Sequence, residues 1–361
     1  MPIVNRYPFY LRSTVILFGL VLCSYALANL RNILIPLSFS LLLAVLLNPL
    51  VNRFYKWRIP KVWAIMIALI LAILAILGIW YFLATQIMHF KDQVPILQKR
   101  SGELLSKAQQ FLLEKFHIPI EKQNAELNEA QAGIKPLITQ LLGTVAGTLT
   151  TATLLPVYTF LLLYYKDLLV NFIYEIFAEE NEKEVSVVLQ QGKSAIQQYM
   201  VGLLVEGLIV AALNTVALLI LGVPYAILLG ILGAILNVLP FIGGIIAILL
   251  PVIVATITKD GFSTQLGIII AYMVIQFVDN HFLIPYIVSS KVKINALISI
   301  VAVLLGGAVW GISGMFLSIP FIGILKIIFD RIPELRPWGK LLGDEIAVRR
   351  PRGRRRSAGA S

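Results

Sequence analysis

The sequence predicts an all-α integral membrane protein of about eight membrane segments, two of which are broken into re-entrant hairpins that form an inverted repeat. The first observation is composition, since 58% of the 361 residues are hydrophobic and only 14% are charged. The second is a series of unbroken apolar runs, each long enough for a membrane-spanning helix. The third is the tetrapeptide Pro-Phe-Ile-Gly, which occurs inside two longer runs, at 240–243 and 320–323.

Six of the segments are conventional apolar runs. Their unbroken hydrophobicity indicates helices, because the strands of a membrane β-barrel alternate apolar and polar residues. The first run also resembles a signal peptide, since Arg6 and Arg12 precede it and Ala26-Leu27-Ala28 imitates a cleavage site. A second run follows almost at once, which favours a pair of helices instead. The six runs are Ser13–Leu30, Ile33–Leu50, Val62–Met88, Leu142–Tyr165, Met200–Leu221 and Thr264–Leu283.

The two remaining runs, Pro224–Thr258 and Ala296–Phe329, are too long to cross the membrane straight. A continuous helix of that length would reach about 50 Å, whereas the hydrocarbon core measures about 30 Å. Pro240 removes a backbone donor, and the glycines at 243 and 244 free the chain to turn. The second run carries similar punctuation, with glycines at 306, 307, 311, 314 and 323 and a proline at 320.

Paired interruptions of this kind are typical of discontinuous helices that build a transporter's binding site near the bilayer midplane. The alternative is that the glycines only let helices approach closely, as Gly307 and Gly311 would in a small-xxx-small pattern. Because the interrupted run occurs in two similar copies, we expect a substrate pathway.

Basic residues indicate the orientation. Arg6 and Arg12 before the first run, and four basic residues at 53–61, place the N-terminus and the first loop in the cytoplasm. If the two broken runs are re-entrant, Lys291 and Lys293 also face the cytoplasm; if both runs cross fully, these lysines face outside. Re-entrant hairpins satisfy the charge rule better and give an inverted repeat. We expect both termini to be cytoplasmic.

Five regions follow from these assignments. N-terminal scaffold spans occupy 1–88, and an external amphipathic helical segment occupies 89–141. The fourth span and a cytoplasmic amphipathic helix occupy 142–199, a carrier unit with both hairpins 200–333, and a basic cytoplasmic tail 334–361.

The arginines of the tail indicate attraction to a membrane surface. Nucleic-acid binding is not expected, because nothing beside them supplies base stacking or groove readout.

Polar side chains inside the apolar runs are the candidates for chemistry. Gln276, Asp279 and Asn280 are spaced i, i+3 and i+4, which places them on one helical face. Asp279 could serve a proton or cation relay, or it could be a helix-end charge in the headgroup zone. Glu206, with Asn214 two turns further on, could titrate inside the membrane or lie at the cytoplasmic interface.

Enzymatic activity and cofactors are not expected. Gly311-Ile312-Ser313-Gly314 imitates the serine motif of intramembrane proteases, but no histidine follows His281 to activate the serine. Three dispersed histidines and one cysteine offer no metal site, and no phosphate-binding loop is present. The expected substrate pathway comprises Asn237, Pro240, Gly243, Gly244, Gln276, Asp279, Asn280, Gly307, Gly311, Ser313, Gly314, Pro320 and Gly323. The ion-coupling candidates are Asp279 and Glu206.

Four motifs in order resemble the bacterial autoinducer-2 exporter family of multispan permeases. They are Leu221-Gly222-Val223-Pro224, then Leu236-Asn237-Val238-Leu239-Pro240-Phe241-Ile242-Gly243, then Asp279-Asn280-His281-Phe282-Leu283-Ile284-Pro285, and Gly306-Gly307 through Gly311-Ile312-Ser313-Gly314 to Pro320. The resemblance covers nearly the whole chain and is densest from Tyr158 to Pro333. The chain departs from the family pattern at Ile287-Val288-Ser289 and Ile294-Asn295, which leaves the solute open.

The resemblance implies an oligomeric, pentameric secondary exporter that moves a small polar signal molecule of quorum sensing out of the cell. Some members of the family are similar instead to sodium/proton antiporters. A non-transporting membrane scaffold is the third class that the sequence leaves open. In the exporter interpretation the carrier unit slides against the N-terminal spans in the manner of an elevator, and the partners are the solute, membrane lipids and copies of the same chain.

Overall fold

The computed structural model describes residues 8–91, 94–126, 128, 153–238, 243–259, 261–288 and 294–344. Nearly all of these residues are helical, and an isolated antiparallel bridge joins Ile294 to Gly343. The helices are α1 Phe9–Asn29, α2 Arg31–Lys56, α3 Lys61–Lys91, α4 Val94–Phe116, α5 Leu154–Tyr164, α6 Lys166–Ile220, α7 Ala226–Asn237, α8 Gly243–Thr258, α9 Ser263–Val278, α10 Ala296–Arg331 and α11 Arg336–Leu342. A π-helical segment, Asp279–Val288, continues α9.

Five helical stretches have the length and composition to cross a membrane. They cover 31–56, 61–88, 182–220, 263–287 and 296–331, and shorter apolar helices lie at 13–29, 154–164, 226–237 and 246–258. Each apolar run predicted from the sequence coincides with one or two of these helices, although residues 142–152 of the fourth run lie outside the described part of the chain. The prediction of an all-α integral membrane protein is confirmed.

Helices α2, α3 and α5 form one packed unit. Ala44 and Val51 of α2, Ile65 of α3 and Leu163 of α5 belong to a common apolar core. The buried Ser40 of α2 donates a hydrogen bond to the carbonyl of Leu155 on α5 at 3.1 Å. That the first spans serve as a scaffold stays a prediction.

An ion pair closes one end of this unit. The ammonium group of Lys61, at the start of α3, lies 2.6 Å from the carboxylate of Asp167, at the start of α6. The hydrogen bond from Lys61 lowers the pKa of Asp167. Because the Asp167 side chain is 71% exposed, this surface pair contributes little to stability.

Helix α6 is unusually long, with 55 residues. If straight it would measure about 80 Å, well beyond a hydrocarbon core of about 30 Å, so part of it must extend outside the membrane. The boundary expected after Tyr199, between an amphipathic helix and the fifth span, falls inside this helix. Its last turns share an apolar core with α7, α8 and α9, in which Leu218, Leu229, Ala247 and Ile268 are buried.

Helices α7 and α8 are the two arms of a helical hairpin, called hairpin 1. A Cβ atom on Gly233 would lie 3.6 Å from Cβ of Ala247, and one on Gly243 would overlap the Leu236 carbonyl. These pairs show that the arms run antiparallel. Residues 239–242, which include Pro240 and connect the arms, lie outside the described residues. The first broken run is therefore a hairpin that reverses near its Pro-Phe-Ile-Gly segment.

Helix α10 is a second helical hairpin, called hairpin 2, with arms 296–309 and 312–331. The helical conformation is interrupted at Trp310 (φ −127°, ψ 15°) and Gly311 (φ 61°, ψ −142°). A Cβ atom added to Gly306 would overlap the Gly314 carbonyl, and one added to Gly307 would lie 2.7 Å from Met315 Cε. The arms thus touch through small residues on both sides of a turn that needs glycine at a positive φ.

The turn of hairpin 2 is ten residues before the second Pro-Phe-Ile-Gly segment. Pro320 and Gly323 are buried within the second arm and do not form the turn. The physical reason is that Gly311 accepts the left-handed conformation while Gly306 and Gly314 let the arms approach. The two copies of the tetrapeptide therefore occupy different places, one between the arms of hairpin 1 and one inside an arm of hairpin 2.

Hairpin 2 is attached at both ends. At its base, Asn295 accepts a hydrogen bond from the Ile298 amide at 2.9 Å and donates to the carbonyl of Leu341 in α11 at 2.7 Å. At its tip, Trp310 Nε1 donates to the Leu27 carbonyl of α1 at 2.9 Å. The tip of hairpin 2 is therefore bonded to α1. Lys291 and Lys293, which were to distinguish the two topologies, lie outside the described residues.

Part of the expected external segment packs on hairpin 1. Arg100 of α4 donates a hydrogen bond to the carbonyl of Thr258, at the end of α8, at 3.2 Å. Residues 129–152 and the arginine-rich tail from residue 345 lie outside the described part of the chain.

We predict that Gly306→Ala lowers the thermal stability of the protein. The new methyl group overlaps Ser318 Oγ and the Gly314 carbonyl, and such overpacking costs about 1–3 kcal/mol. The midpoint of thermal unfolding in detergent measures the effect. Gly78→Ala on α3, where an added Cβ meets nothing within 4 Å, is the control and should not lower it. An unchanged midpoint for Gly306→Ala would contradict the arm-to-arm contact.

Candidate functional site

The most deeply buried carboxyl group of the described chain belongs to Asp279, which is 1% exposed. It lies where α9 changes into the π-helical segment, a local widening that is frequent at functional sites. Its Oδ2 accepts a hydrogen bond from Asn237 Nδ2 of hairpin 1 at 2.9 Å. Its Oδ1 has no hydrogen-bond partner among the described residues. Protein therefore encloses this carboxyl group, and its role in a proton or cation relay stays a prediction.

A second carboxyl group lies against the first. Glu206 of α6 is 6% exposed and its carboxyl contacts that of Asp279. Two ionised carboxylates only accept hydrogen bonds and repel each other, so the pair is stable only with a proton or a cation between them or beside them. Groups of three or more metal-ligating side chains are absent from the described residues, so the pair offers at most two carboxylates to a cation.

Glycine at 244 lets two amide side chains join the carboxyl pair. A Cβ atom on Gly244 would lie 2.6 Å from Oε1 of Gln276 and 3.6 Å from Oδ1 of Asn237. Gln276 is on α9, one turn before Asp279, and Asn237 ends the first arm of hairpin 1. The start of the second arm therefore packs directly on a cluster of two carboxyls and two amides, which we call the polar cluster.

A smaller group of polar atoms lies beside the same hairpin. Asn214 of α6 and Tyr272 of α9 are 2% and 4% exposed. Asn214 Oδ1 and Tyr272 Oη both lack a hydrogen-bond partner in the described structure. A Cβ on Gly233 would be 3.1 Å from Asn214 Nδ2 and 3.6 Å from Tyr272 Oη. Buried polar atoms are normally satisfied, so these orphans mark places for water, an ion or a solute.

The structure brings together part of the expected substrate pathway. Asn237, Gly244, Gln276, Asp279 and Glu206 form the polar cluster, and Gly243 is buried at the start of the second arm. Pro240 lies outside the described residues. Six further members belong to hairpin 2, whose second arm shares an apolar core with Leu42 of α2 and Ile196 of α6 through Leu317; they are Gly307, Gly311, Ser313, Gly314, Pro320 and Gly323.

Asn280 is exposed, whereas Asp279 is buried and Gln276 is half-buried. Consecutive residues of a helix are rotated by about 100°, so Asn280 lies well round the helix from Asp279. Its place in a substrate pathway stays a prediction.

Three residues of the site were not singled out from the sequence. Tyr272 is four residues before Gln276 and seven before Asp279, so helical spacing could have placed it on the same face. Gly233 could be recognised only once its neighbour Asn214 was known. Tyr199 is two turns before Glu206 on α6, and its ring centroid lies 6.5 Å from that of Phe316 in hairpin 2, with the ring planes tilted by 59°.

Two interrupted hairpins, long apolar helices and a buried polar cluster define a multi-pass membrane protein of the transporter class. A family model described as AI-2E family transporter matches residues 14–334, so the chain belongs to this family. The AI-2 transport protein TqsA of Escherichia coli (strain K12) is 25% identical over 335 residues, covering 91% of this chain and 95% of the relative. The "Putative transport protein YrrI" of Bacillus subtilis (strain 168) is 23% identical over 314 residues, covering 85% and 88%.

Two glycines of hairpin 1 should differ in how strongly their replacement by alanine lowers the stability of the protein. A Cβ on Gly230 would lie 2.7 Å from the backbone nitrogen of Thr215, which cannot move without disturbing α6. A Cβ on Gly244 crowds only the end of the flexible Gln276 side chain, since Asn237 Oδ1 is at an ordinary contact distance of 3.6 Å. We predict that Gly230→Ala lowers the thermal midpoint, whereas Gly244→Ala leaves it nearly unchanged. Equal effects of the two variants would show that hairpin 1 does not pack on α6 as described.

Proposed function

We propose that this protein is a secondary transporter of the bacterial inner membrane that exports a small polar solute, an autoinducer-2-like signal molecule of quorum sensing. The observation that carries the proposal is the polar cluster, a set of buried and incompletely satisfied polar groups held between two spanning helices and an interrupted hairpin. Such groups are costly inside a membrane and are retained at substrate and ion pathways. The name of the relative TqsA supports the choice of solute.

The chemistry of the cluster suits a small molecule rich in hydroxyl and carbonyl groups. Asn237 and Gln276 each offer donors and an acceptor, and the two carboxyl groups offer strong acceptors. Tyr272 and Asn214 add a hydroxyl and an amide beside the same hairpin. Interrupted helices next to such groups also expose backbone amides and carbonyls, which bind polar solutes at membrane depth.

Glu206 and Asp279 are the proposed ion-coupling residues. A proton or a monovalent cation held by the carboxyl pair would neutralise it, and its release would leave two repelling charges in contact. Occupation of the pair would therefore bias the arrangement of α6, α9 and hairpin 1 around it. This gives a physical route by which an ion gradient could drive solute movement.

The proposed movement is of the elevator type, with the unit 200–333 sliding against the N-terminal spans. The direct contact between these parts at the tip of hairpin 2 is the hydrogen bond from Trp310 to the Leu27 carbonyl. In this proposal hairpin 2 is the gate and the bond at its tip must break in each cycle. A homo-oligomer, proposed as a pentamer with cytoplasmic termini, would hold the scaffold spans still through the exposed apolar faces of α1 and α3.

A cation/proton antiporter is the second candidate function. The observation in its favour is the direct contact of two buried carboxyl groups, which could exchange a cation for a proton without any organic solute. A non-transporting scaffold is the third and predicts no flux of any kind. Counterflow of the purified protein in proteoliposomes, tested with small polyols, furanones and cations, identifies the cargo.

We predict that Asp279→Asn and Glu206→Gln each reduce solute counterflow at least about tenfold, because hydrogen bonds to charged groups are worth about 1.5–3 kcal/mol. Asp167→Asn, at an exposed carboxylate of the scaffold, is the matched control and should transport normally. Loss of proton-coupled cation flux with solute export retained would favour the antiporter. Absence of flux in the unmodified protein would favour the scaffold.

We predict that fixing the tip of hairpin 2 to α1 stops transport. The test uses Leu27→Cys with Trp310→Cys in a Cys23→Ser background, because Cys23 is the only cysteine. A short methanethiosulfonate crosslinker should abolish flux in the double-cysteine protein, and a reductant should restore it. Each single-cysteine variant treated with the same reagent is the control. Full flux in the crosslinked protein would exclude hairpin 2 as the gate.

A further inference from the structure

A large cavity lies away from the polar cluster, at the end of the scaffold that carries Arg53 and Lys56. Its volume is about 1420 Å³, and its walls come from α2, α5, α6 and the end of α10. The walls are mostly apolar, with Leu41, Phe172 and Phe177 among their exposed hydrophobic side chains. The cavity exceeds the roughly 300–1,000 Å³ of ordinary small-molecule pockets. Its size and apolar walls do not suit a small polar cargo.

One buried polar group in the wall requires a partner. Asn48 of α2 is 5% exposed and lines the cavity. Lys166 Nζ donates to Asn48 Oδ1 at 3.3 Å, which fixes the amide so that Nδ2 is the free donor. Nδ2 has no partner among the described residues. A ligand that binds here would therefore have to present a hydrogen-bond acceptor next to the Lys166 ammonium group.

The charges around the cavity indicate the sign of that acceptor. Lys166, Lys193 and Arg331 line it, against two carboxylates, Glu184 and Glu334. None of the three cations forms an ion pair with a carboxylate in the described part of the chain, whereas Lys61 and Lys326 nearby are both paired. An apolar cavity with a free donor and unpaired cations is complementary to an amphiphile with an anionic head.

We propose that this cavity binds an anionic phospholipid, with its phosphate at Asn48 and Lys166 and its acyl chains along the apolar walls. The basic residues at 53–61 place this end of the scaffold on the cytoplasmic side. Anionic lipids are concentrated there, and basic pockets between spans bind their head groups. The lipid would join the scaffold helices α2 and α5 to α6 and to the base of hairpin 2.

Native mass spectrometry of the full-length protein, stripped of lipid in detergent, tests the proposal. Each lipid is then added back separately. We expect added phosphatidylglycerol to stay bound in the mass spectrometer and to raise the midpoint of thermal unfolding. Phosphatidylcholine and inorganic phosphate should do neither. Lys166→Gln should weaken phosphatidylglycerol binding about tenfold or more, because it removes a charge-assisted hydrogen bond. The double variant Lys193→Gln/Arg331→Gln should also weaken phosphatidylglycerol binding. Both positions are exposed, so these changes should not disturb folding.

Lys61→Gln and Lys326→Gln are the matched controls, since both remove a basic group that is already paired with a carboxylate outside the cavity lining. They should leave lipid binding unchanged. Equal binding of phosphatidylcholine, or equal loss in controls and cavity variants, would overturn the proposal. A stabilising effect of inorganic phosphate alone would also overturn it, because it would assign the site to a free anion. A change of oligomeric state in the cavity variants without any retained lipid would assign the cavity to a second copy of the chain.

Discussion

The structure depends on one constraint, the cost of leaving backbone amides and carbonyls unpaired inside a lipid bilayer. A chain that reverses direction at membrane depth, as we propose for both hairpins, exposes such groups, so it can do so only where other parts of the protein cover them. Hairpin 2 meets the constraint through glycines that bring its arms into contact and a serine, Ser318, that bonds the Gly314 carbonyl at 2.6 Å. Hairpin 1 meets it by packing on α6 and α9. The place of the polar cluster follows, because it lies where hairpin 1 is covered.

The constraint also explains why the neighbours of hairpin 1 are polar on one side and apolar on the other. Leu218 and Ile268 belong to the apolar core beside the hairpin, whereas Asn214, Tyr272 and Gln276 are on the same two helices, next to its glycines at 233 and 244. A polar side chain can stay there only because glycine lets it approach the hairpin backbone. The candidate site and the fold of this region therefore depend on the same small residues.

The sequence was sufficient to predict the fold class, the broken runs and the polar residues that the structure gathers. Asp279, Glu206 and Asn237 stand out because charged and amide groups are rare in long apolar runs. The turn of hairpin 2 was harder to locate, since Pro320 and Gly311 both weaken a helix and only the arm-to-arm contacts decide between them. The exposure of Asn280 could not be read from its spacing, because the next residue after Asp279 is rotated by about 100° and can lie on either side of the edge of the buried face. The cavity proposed to bind a phospholipid was not predictable, because its walls come from four helices far apart in sequence.

The bond from the Trp310 side chain to the Leu27 carbonyl also bears on timescale. Leu27 is in the last turn of α1, where carbonyls have no amide further along the helix to pair with. Separation of the tryptophan from this carbonyl leaves both groups in a poorly solvating medium until other partners are found. If hairpin 2 moves as the gate that we propose, intermediate positions of its tip are less favourable than bonded ones, so its motion should consist of discrete jumps. A signal from the tip should therefore show two populations in slow exchange and not one averaged position.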